Sequence, residues 1–153
     1  MGDLLRIDLS SRTVSEETIP AELIHRYIGG KGIGTHYLLD EVGPEVEPLS
    51  PANKLIFVTG PIQGTTMFGG NRYGVHYLSP LTGGYGECTS GGNVAPQFAR
   101  TGYKVVIVEG AADEPVYLAP TDGERNAPQH RDFHFAQVIS LVDVFKSYQF
   151  HVW

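Results

Sequence analysis

Ten of the chain's 19 glycines fall within the 33 residues from Gly60 to Gly92, GPIQGTTMFGGNRYGVHYLSPLTGGYGECTSGG. Backbone at that glycine density has to turn through positive φ or let another group come close, and it weakens ordinary helix or strand interiors. A bound ligand is the simplest reason for it. Arg72 is the one Lys or Arg of the stretch, flanked by Asn71 and Tyr73 and followed by the hydroxyls of Ser79, Thr82, Thr89 and Ser90. A guanidinium fork beside glycine N–H groups matches phosphate oxygens, because the donors converge with no side chains in the way. The stretch reads as an anion-binding surface.

Composition narrows what the anion can be. A chain of 153 residues, 41% of them hydrophobic, is enough for one domain that buries roughly two thirds of its surface. Its net charge of −6 argues against nucleic acid, which calls for a basic face, so a phosphate bound here belongs to a small molecule. Cys88 is the only cysteine. One thiol makes no intrachain disulfide and no thiolate quartet for zinc or an iron–sulfur cluster, and it suits a reducing compartment. Charges at Asp3, Arg6 and Asp8 break up the N-terminus, and no apolar run approaches the ~20 residues that cross a bilayer. The expectation is a cytoplasmic protein with no membrane partner.

Along the chain, Leu4 to Leu9 alternates as a half-buried strand does, Ser10 to Arg12 turns, and Thr13 to Ile19 returns to complete a hairpin. Pro20 opens a helical pattern over residues 21–28 that Gly29-Gly30 closes. A second helix is expected from Gly34 to Val42, with Leu38, Leu39 and Val42 as its apolar stripe and Gly43-Pro44 as its stop. Between them, GGKGIG has the spacing of neither nucleotide-binding glycine motif and reads as a flexible interhelical turn. Residues 44–51 form an acidic, proline-rich connector. Strands are expected at 54–59, 72–78, 85–88, 103–109 and 116–118. Residues 94–100 can form a helix whose first N–H groups sit on the Ser90-Gly91-Gly92 turn, where they favour an anion. Strands dominate without regular βαβ alternation, which predicts an α+β fold, a sheet-rich mixed β domain with a few short helices.

No Ser/His/Asp or paired-carboxylate arrangement emerges from the spacing, so no residue is expected to be catalytic. Cys88, alone, reads as a small buried hydrophobe. His76 reads as a hydrogen-bonded strand residue, and His36 as a solvated or core residue of the second helix. The plain alternative for Arg72 is a surface salt bridge with an acidic neighbour.

The runs PLSPANKLIFVTGPIQGT, GGNRYGVHYLSPLTG and TSGGNVAPQFARTGYKVVIVEGAADEPVYL resemble, in order and spacing, the N-terminal domain of the tungsten-containing aldehyde:ferredoxin oxidoreductase family. The opening hairpin and the GGKGIG helix pair fit the same pattern, so the resemblance covers residues 3 to 118. It implies a domain, residues 1–120, that forms a base for a tungsten bis-pterin cofactor (tungstopterin) whose phosphates are bridged by magnesium. Arg72 falls on the family's phosphate-contacting arginine and Gly91 on its cofactor-contacting glycine, with Asn71, Ser90 and Gly92 beside them. Thr89 stands where the family has asparagine; a main-chain carbonyl at Thr89 can still serve as the magnesium contact. The implied activity of the complete enzyme is oxidation of aldehydes to carboxylic acids, with electrons leaving through a [4Fe–4S] cluster to ferredoxin. Domains outside this chain would ligate that cluster.

Residues 121–153 depart from the pattern. The first twelve are polar and turn-rich, whereas 133–153 is apolar, with Phe135, Val138, Ile139, Val142 and Phe145 on one helical face. Two readings weigh equally: a partly helical tail that completes a local core, or unrelated sequence after a truncated or shifted reading frame. For the whole chain the leading reading is the tungstopterin-binding part of an aldehyde oxidoreductase. The alternatives are a non-catalytic pterin-binding carrier module and a structural or assembly subunit that needs a partner chain with the missing domains.

Overall fold

The opening alternation does build a hairpin. In β1 (Asp3–Asp8) Leu4, Leu5 and Ile7 are buried, and β2 (Thr13–Glu17) returns antiparallel with Leu4 opposite Glu17 and Asp8 opposite Thr13. The Asp8 carboxylate closes the turn by accepting from the N–H groups of Ser10 and Ser11 and from the Ser11 hydroxyl, the self-bonding that makes aspartate a turn former. The computed structural model describes residues 3–113, 116–120 and 133–137, and the chain divides into two units, residues 1–111 and 112–153.

In the first unit the hairpin is followed by α1 (Ala21–Tyr27), α2 (Lys31–Glu41), β3 (Lys54–Thr59), β4 (Tyr73–Leu78), β5 (Tyr85–Ser90), α3 (Val94–Arg100) and β6 (Tyr103–Glu109). The six strands form one mixed sheet in the order β2-β1-β6-β3-β4-β5, in which β1 and β6 pair in parallel and every other pair is antiparallel. The fold is α+β, as the irregular alternation of strand and helix patterns requires. From one face of the sheet Leu4, Ile56, Val58, Val105 and Ile107 meet Ile19, Ile33 and Leu38 of α2 and Val42 at its C-terminal end in a single core cluster. Each such side chain contributes roughly 1.5–3 kcal/mol on burial. Leu5, Ile7, Val106 and Val108 alternate with these along β1 and β6 and are buried too, so they belong to the opposite face. Helix α3 packs on β6 and β3.

At one end of the sheet the core is closed by charge. Arg6 donates to Glu17, Glu41 and Glu109, with its shortest contact, 2.6 Å, from Nε to Glu17. Lys54 reaches Glu41 at 2.6 Å and Glu109 at 2.5 Å. Five half-buried charges from β1, β2, α2, β3 and β6 thus satisfy one another where the strands end. Burial opposes the Glu41 charge, but the hydrogen bonds from Arg6 and Lys54 outweigh it and hold the carboxyl below its ordinary range. The hydrogen bond to Glu41, then that to Glu17, raise the Arg6 guanidinium further.

Two of the boundaries that differ from expectation bear on the site. Helix α2 starts at Lys31, so Lys31-Gly32-Ile33-Gly34 is its first turn and not a flexible connector. The reversal is compressed into residues 28–30, with Ile28 at φ 67° and the Gly30 N–H bonded to the Thr59 carbonyl. The glycines of this turn serve packing: a Cβ on Gly32 would come within 3.0 Å of Tyr27 Cβ, and one on Gly34 within 2.4 Å of the His76 ring. Strand β5 also runs on to Ser90, because its ladder with β4 continues through Gly74–Thr89 and Tyr73–Ser90.

In the second unit β7 (Val116–Pro120) pairs antiparallel with β8 (Phe133–Gln137). The first five residues of the segment read as partly helical, 133–153, thus form a strand. Phe133 and Phe135 are two apart, a strand period, and the partner strand decides between the two patterns. Residues 138–153, with Val138, Ile139, Val142 and Phe145, lie outside the described residues.

Candidate functional site

The loop of residues 60–72 leaves β3 and returns to β4, and most of it faces solvent, Phe68 completely. Gln63 is the exception. It is 6% exposed, and its Nε2 donates to the Arg72 carbonyl at 2.8 Å, tying the first turn of the loop to its last residue. Gly64 lies against Ala99 of α3, where a Cβ would come within 2.9 Å of the Ala99 Cβ, and Gly70 lies against the Ile62 carbonyl. The loop is thus pinned at its base while its tip is open.

Arg72 emerges at that base with an exposed side chain. Among the described residues no ion pair involves it, so the salt-bridge alternative finds no support there. Its Cδ and Nε stand 3.6 Å from the point where a Gly91 Cβ would be, and the Asn71 carbonyl lies equally close to that point. Asn71, Arg72 and Gly91 are therefore brought together, with Gly92 next in chain at φ 80° and open space around its Cα. That φ belongs to the left-handed region, where a side chain is strained. The helix expected after the turn is present as α3, and Asn93 at its start makes no side-chain cap.

Thr89 and Ser90 occupy successive positions of β5, so their side chains leave opposite faces of the sheet. Thr89 shares its face with Glu87, whose carboxylate accepts from the Thr89 hydroxyl at 3.4 Å. The two hydroxyls do not converge on one ligand, and Ser90 leads directly into Gly91. Cys88 corrects expectation: it is exposed, with Sγ 3.3 Å from the Tyr77 hydroxyl. An edge strand with solvent on one side leaves its thiol uncovered, which a lone cysteine in a sequence does not reveal.

A second polar cluster was only partly legible. His76 on β4 is fully buried, and its Nδ1 lies 2.9 Å from the Tyr85 hydroxyl, which also meets Thr35 Oγ1 at 3.1 Å and Glu87 Oε2 at 3.3 Å. Lys31 pairs with Glu87. A carboxylate only accepts, so Tyr85 donates to Glu87 and the proton between His76 and Tyr85 sits on Nδ1. Nε2 is then a bare nitrogen with no hydrogen-bond partner among the described residues, facing Gly34 and Gly74. Burial lowers the His76 pKa, against the attraction of Glu87. The hydrogen bond from Lys31 holds Glu87 below the usual carboxylate range. His76 does make the strand-to-strand hydrogen bond expected of it, and His36 stacks on Tyr27 at 5.4 Å.

Residues 4–148 match the N-terminal domain family of aldehyde ferredoxin oxidoreductase. The chain belongs to this family. The match continues past Leu118, where the quoted motifs end. Among similar proteins, the tungsten-containing aldehyde ferredoxin oxidoreductase of Pyrococcus horikoshii is 44% identical over 121 residues, which are 79% of this chain and 20% of that protein. The aliphatic sulfonate oxidoreductase WOR-like subunit of Pyrococcus furiosus is 31% identical over 120 residues, 76% of this chain and 19% of that protein. Among solved structures, the active site complex BamBC of benzoyl coenzyme A reductase with 1,5-dienoyl-CoA superposes with a TM-score of 0.75 at 38% identity, covering 76% of this chain and 18% of that one. This aldehyde ferredoxin oxidoreductase N-terminal domain therefore spans about a fifth of the length of the relatives it matches, and those relatives include subunits of larger oxidoreductases. Among the described residues no helix is long and apolar enough to cross a membrane, and no group of His, Cys, Asp and Glu is placed to hold a metal ion.

Proposed function

We propose that this domain is the tungstopterin-binding base of an aldehyde-oxidising enzyme that passes electrons to ferredoxin. The observation that carries the reading is Arg72: an exposed guanidinium with no carboxylate partner among the described residues, beside glycine backbone at Gly91. Such a fork is available for phosphate oxygens, and the donor set fits the phosphate end of a pterin cofactor. In this reading Arg72 holds the phosphate, Asn71, Gly91 and Gly92 let the ligand approach main chain, and Ser90 borders it. The Thr89 carbonyl is the acceptor for magnesium, since a main-chain oxygen suits a hard cation and no acidic cluster is at hand. When bound, the cofactor supplies the redox chemistry, and the protein supplies position and charge. The rest of the site, the [4Fe–4S] cluster and the docking surface for ferredoxin belong to further domains or to a partner chain, in the cytoplasm.

The test is retention of pterin and of tungsten by Arg72 variants assembled with the remaining domains of the enzyme, where wild type is expected to retain both. Arg72→Ala is expected to bind less than Arg72→Lys, and Arg72→Lys less than wild type, because lysine keeps the charge and loses the bidentate fork. Equal cofactor content in wild type and Arg72→Ala would overturn the assignment. If pterin is retained but no aldehyde-dependent dye reduction follows when the missing domains are supplied, the carrier-module reading takes its place.

A further inference from the structure

Gln63 is a long polar side chain buried in a loop whose neighbouring side chains, from Pro61 to Phe68, are exposed. Its one side-chain hydrogen bond goes to the Arg72 carbonyl, nine residues on. A carbonyl only accepts, so the amide orientation is fixed: Nε2 faces Arg72, and Oε1 is left buried with no hydrogen-bond partner among the described residues. A residue present for packing alone would be apolar, because leucine or methionine fills the same volume without stranding an oxygen away from water. The amide is explained by what it holds.

We infer that Gln63 is a positioning residue for the anion site: it clamps the main chain of Arg72 and so narrows the arc through which the guanidinium moves over Gly91. The inference deepens the proposed function and rests on that reading for its ligand. Arg72 has an exposed, flexible stem, and no ion pair among the described residues fixes its head. The order of its guanidinium therefore depends on how firmly its own backbone is held. The other supports of the loop, the hydrogen bonds of Gln63 N–H to Gly60, of Thr65 to Ile62 and of Met67 N–H to Thr65 and the close contacts of Gly64 with Ala99 and Gly70 with Ile62, do not involve Arg72. Ordering the donor before the ligand arrives reduces what binding must spend on immobilising it.

The experiment uses the full 153-residue chain and Gln63→Met, which keeps length and volume and removes the donor. Inorganic pyrophosphate is the anion probe, with Arg72→Ala as the reference for loss of the site. Gln63→Met is expected to bind pyrophosphate about tenfold more weakly while its urea midpoint stays near that of wild type. In the absence of any ligand, NMR relaxation at Arg72 Nε and amide hydrogen exchange over residues 64–72 are expected to show a looser Arg72, with β6 unchanged. An Arg72 as ordered in Gln63→Met as in wild type overturns the inference, whatever pyrophosphate does. If wild type and Arg72→Ala bind pyrophosphate equally, the anion reading fails by itself, and the ligand-free order of Arg72 still decides the role of Gln63.

Discussion

His76 lies so close to Gly34 that a Cβ on the glycine would fall 2.4 Å from the histidine Cδ2 and 2.6 Å from Nε2. The first turn of α2 and the middle of β4 therefore touch through a ring on one side and bare backbone on the other. Gly34→Ala is expected to lower stability by about 1–3 kcal/mol, the usual cost of overpacking, although alanine alone favours helix. Urea unfolding measures it. A gain in stability, as helix propensity by itself predicts, would mean that the ring is free to move aside.

The same burial makes stability depend on pH. An unfolded His76 titrates near its ordinary 6.5, while in the fold burial lowers its pKa. Below 6.5 the unfolded chain takes up the proton first, so stability is fully present above that pH, declines as pH falls, and levels once the ring protonates in the fold. Lys31 favours the neutral ring and Glu87 opposes it, burial being the larger cause. His76→Gln is expected to flatten stability between about pH 7.5 and 5.5 relative to wild type. Identical slopes in the two proteins would show that His76 does not contribute to the linkage.

A different window belongs to Glu41. Its folded pKa is held below the ordinary 4.5 by Arg6 and Lys54 in spite of burial. The stability it contributes is present above 4.5 and is lost as pH falls through the folded value. Glu41→Gln removes the carboxylate from both Arg6 and Lys54 but leaves Arg6 with Glu17 and Glu109 and Lys54 with Glu109, so the expected net loss at neutral pH is about 1.5–3 kcal/mol, less than two independent contacts would cost. Its acid unfolding should also be shallower than that of wild type. Chemical denaturation at pH 7 and pH 4 checks both statements.

What the sequence disclosed follows from how local each signal is. Alternation in Leu4 to Leu9 and in Tyr103 to Glu109 carries strand and face together, so the central strands could be read directly. GGKGIG could not: glycine in Lys31–Gly34 marks a flexible turn or a tight contact alike, and only the ring of His76 decides for the contact. Phe133–Gln137 supports a strand or part of a helical face until β7 pairs with it. Asn71 and Arg72 could be named as candidates because chemistry-bearing types stand in a glycine-rich context, and Gly91 because the family resemblance marks it; the fold brings the three together. Gln63 was not, since its importance lies in a bond to a main-chain carbonyl nine residues away, and a lone glutamine after Gly60-Pro61-Ile62 announces nothing. The divergence of Thr89 and Ser90 became visible only when β5 proved two residues longer than its apolar pattern.

The 153-residue chain on its own is expected to hold no iron–sulfur cluster and to oxidise no aldehyde. A cluster takes thiolate ligands, typically four, and Cys88 is the only cysteine. Electrons reaching a bound metal would have no internal path onward. The face proposed for the cofactor is also open: Arg72, Thr89, Ser90 and Gly92 are all exposed, and in water the attraction between a guanidinium and a phosphate falls to about 1 kcal/mol at 4 Å. Contacts from a second side would each add about 1.5–3 kcal/mol, or roughly tenfold to a hundredfold in affinity, so cofactor content in the isolated chain should be low. Iron and tungsten analysis of the purified chain, together with aldehyde-dependent viologen reduction before and after a partner chain with the missing domains is supplied, measures all three expectations. Robust turnover by the chain alone would require a route for electrons that its single thiol does not provide.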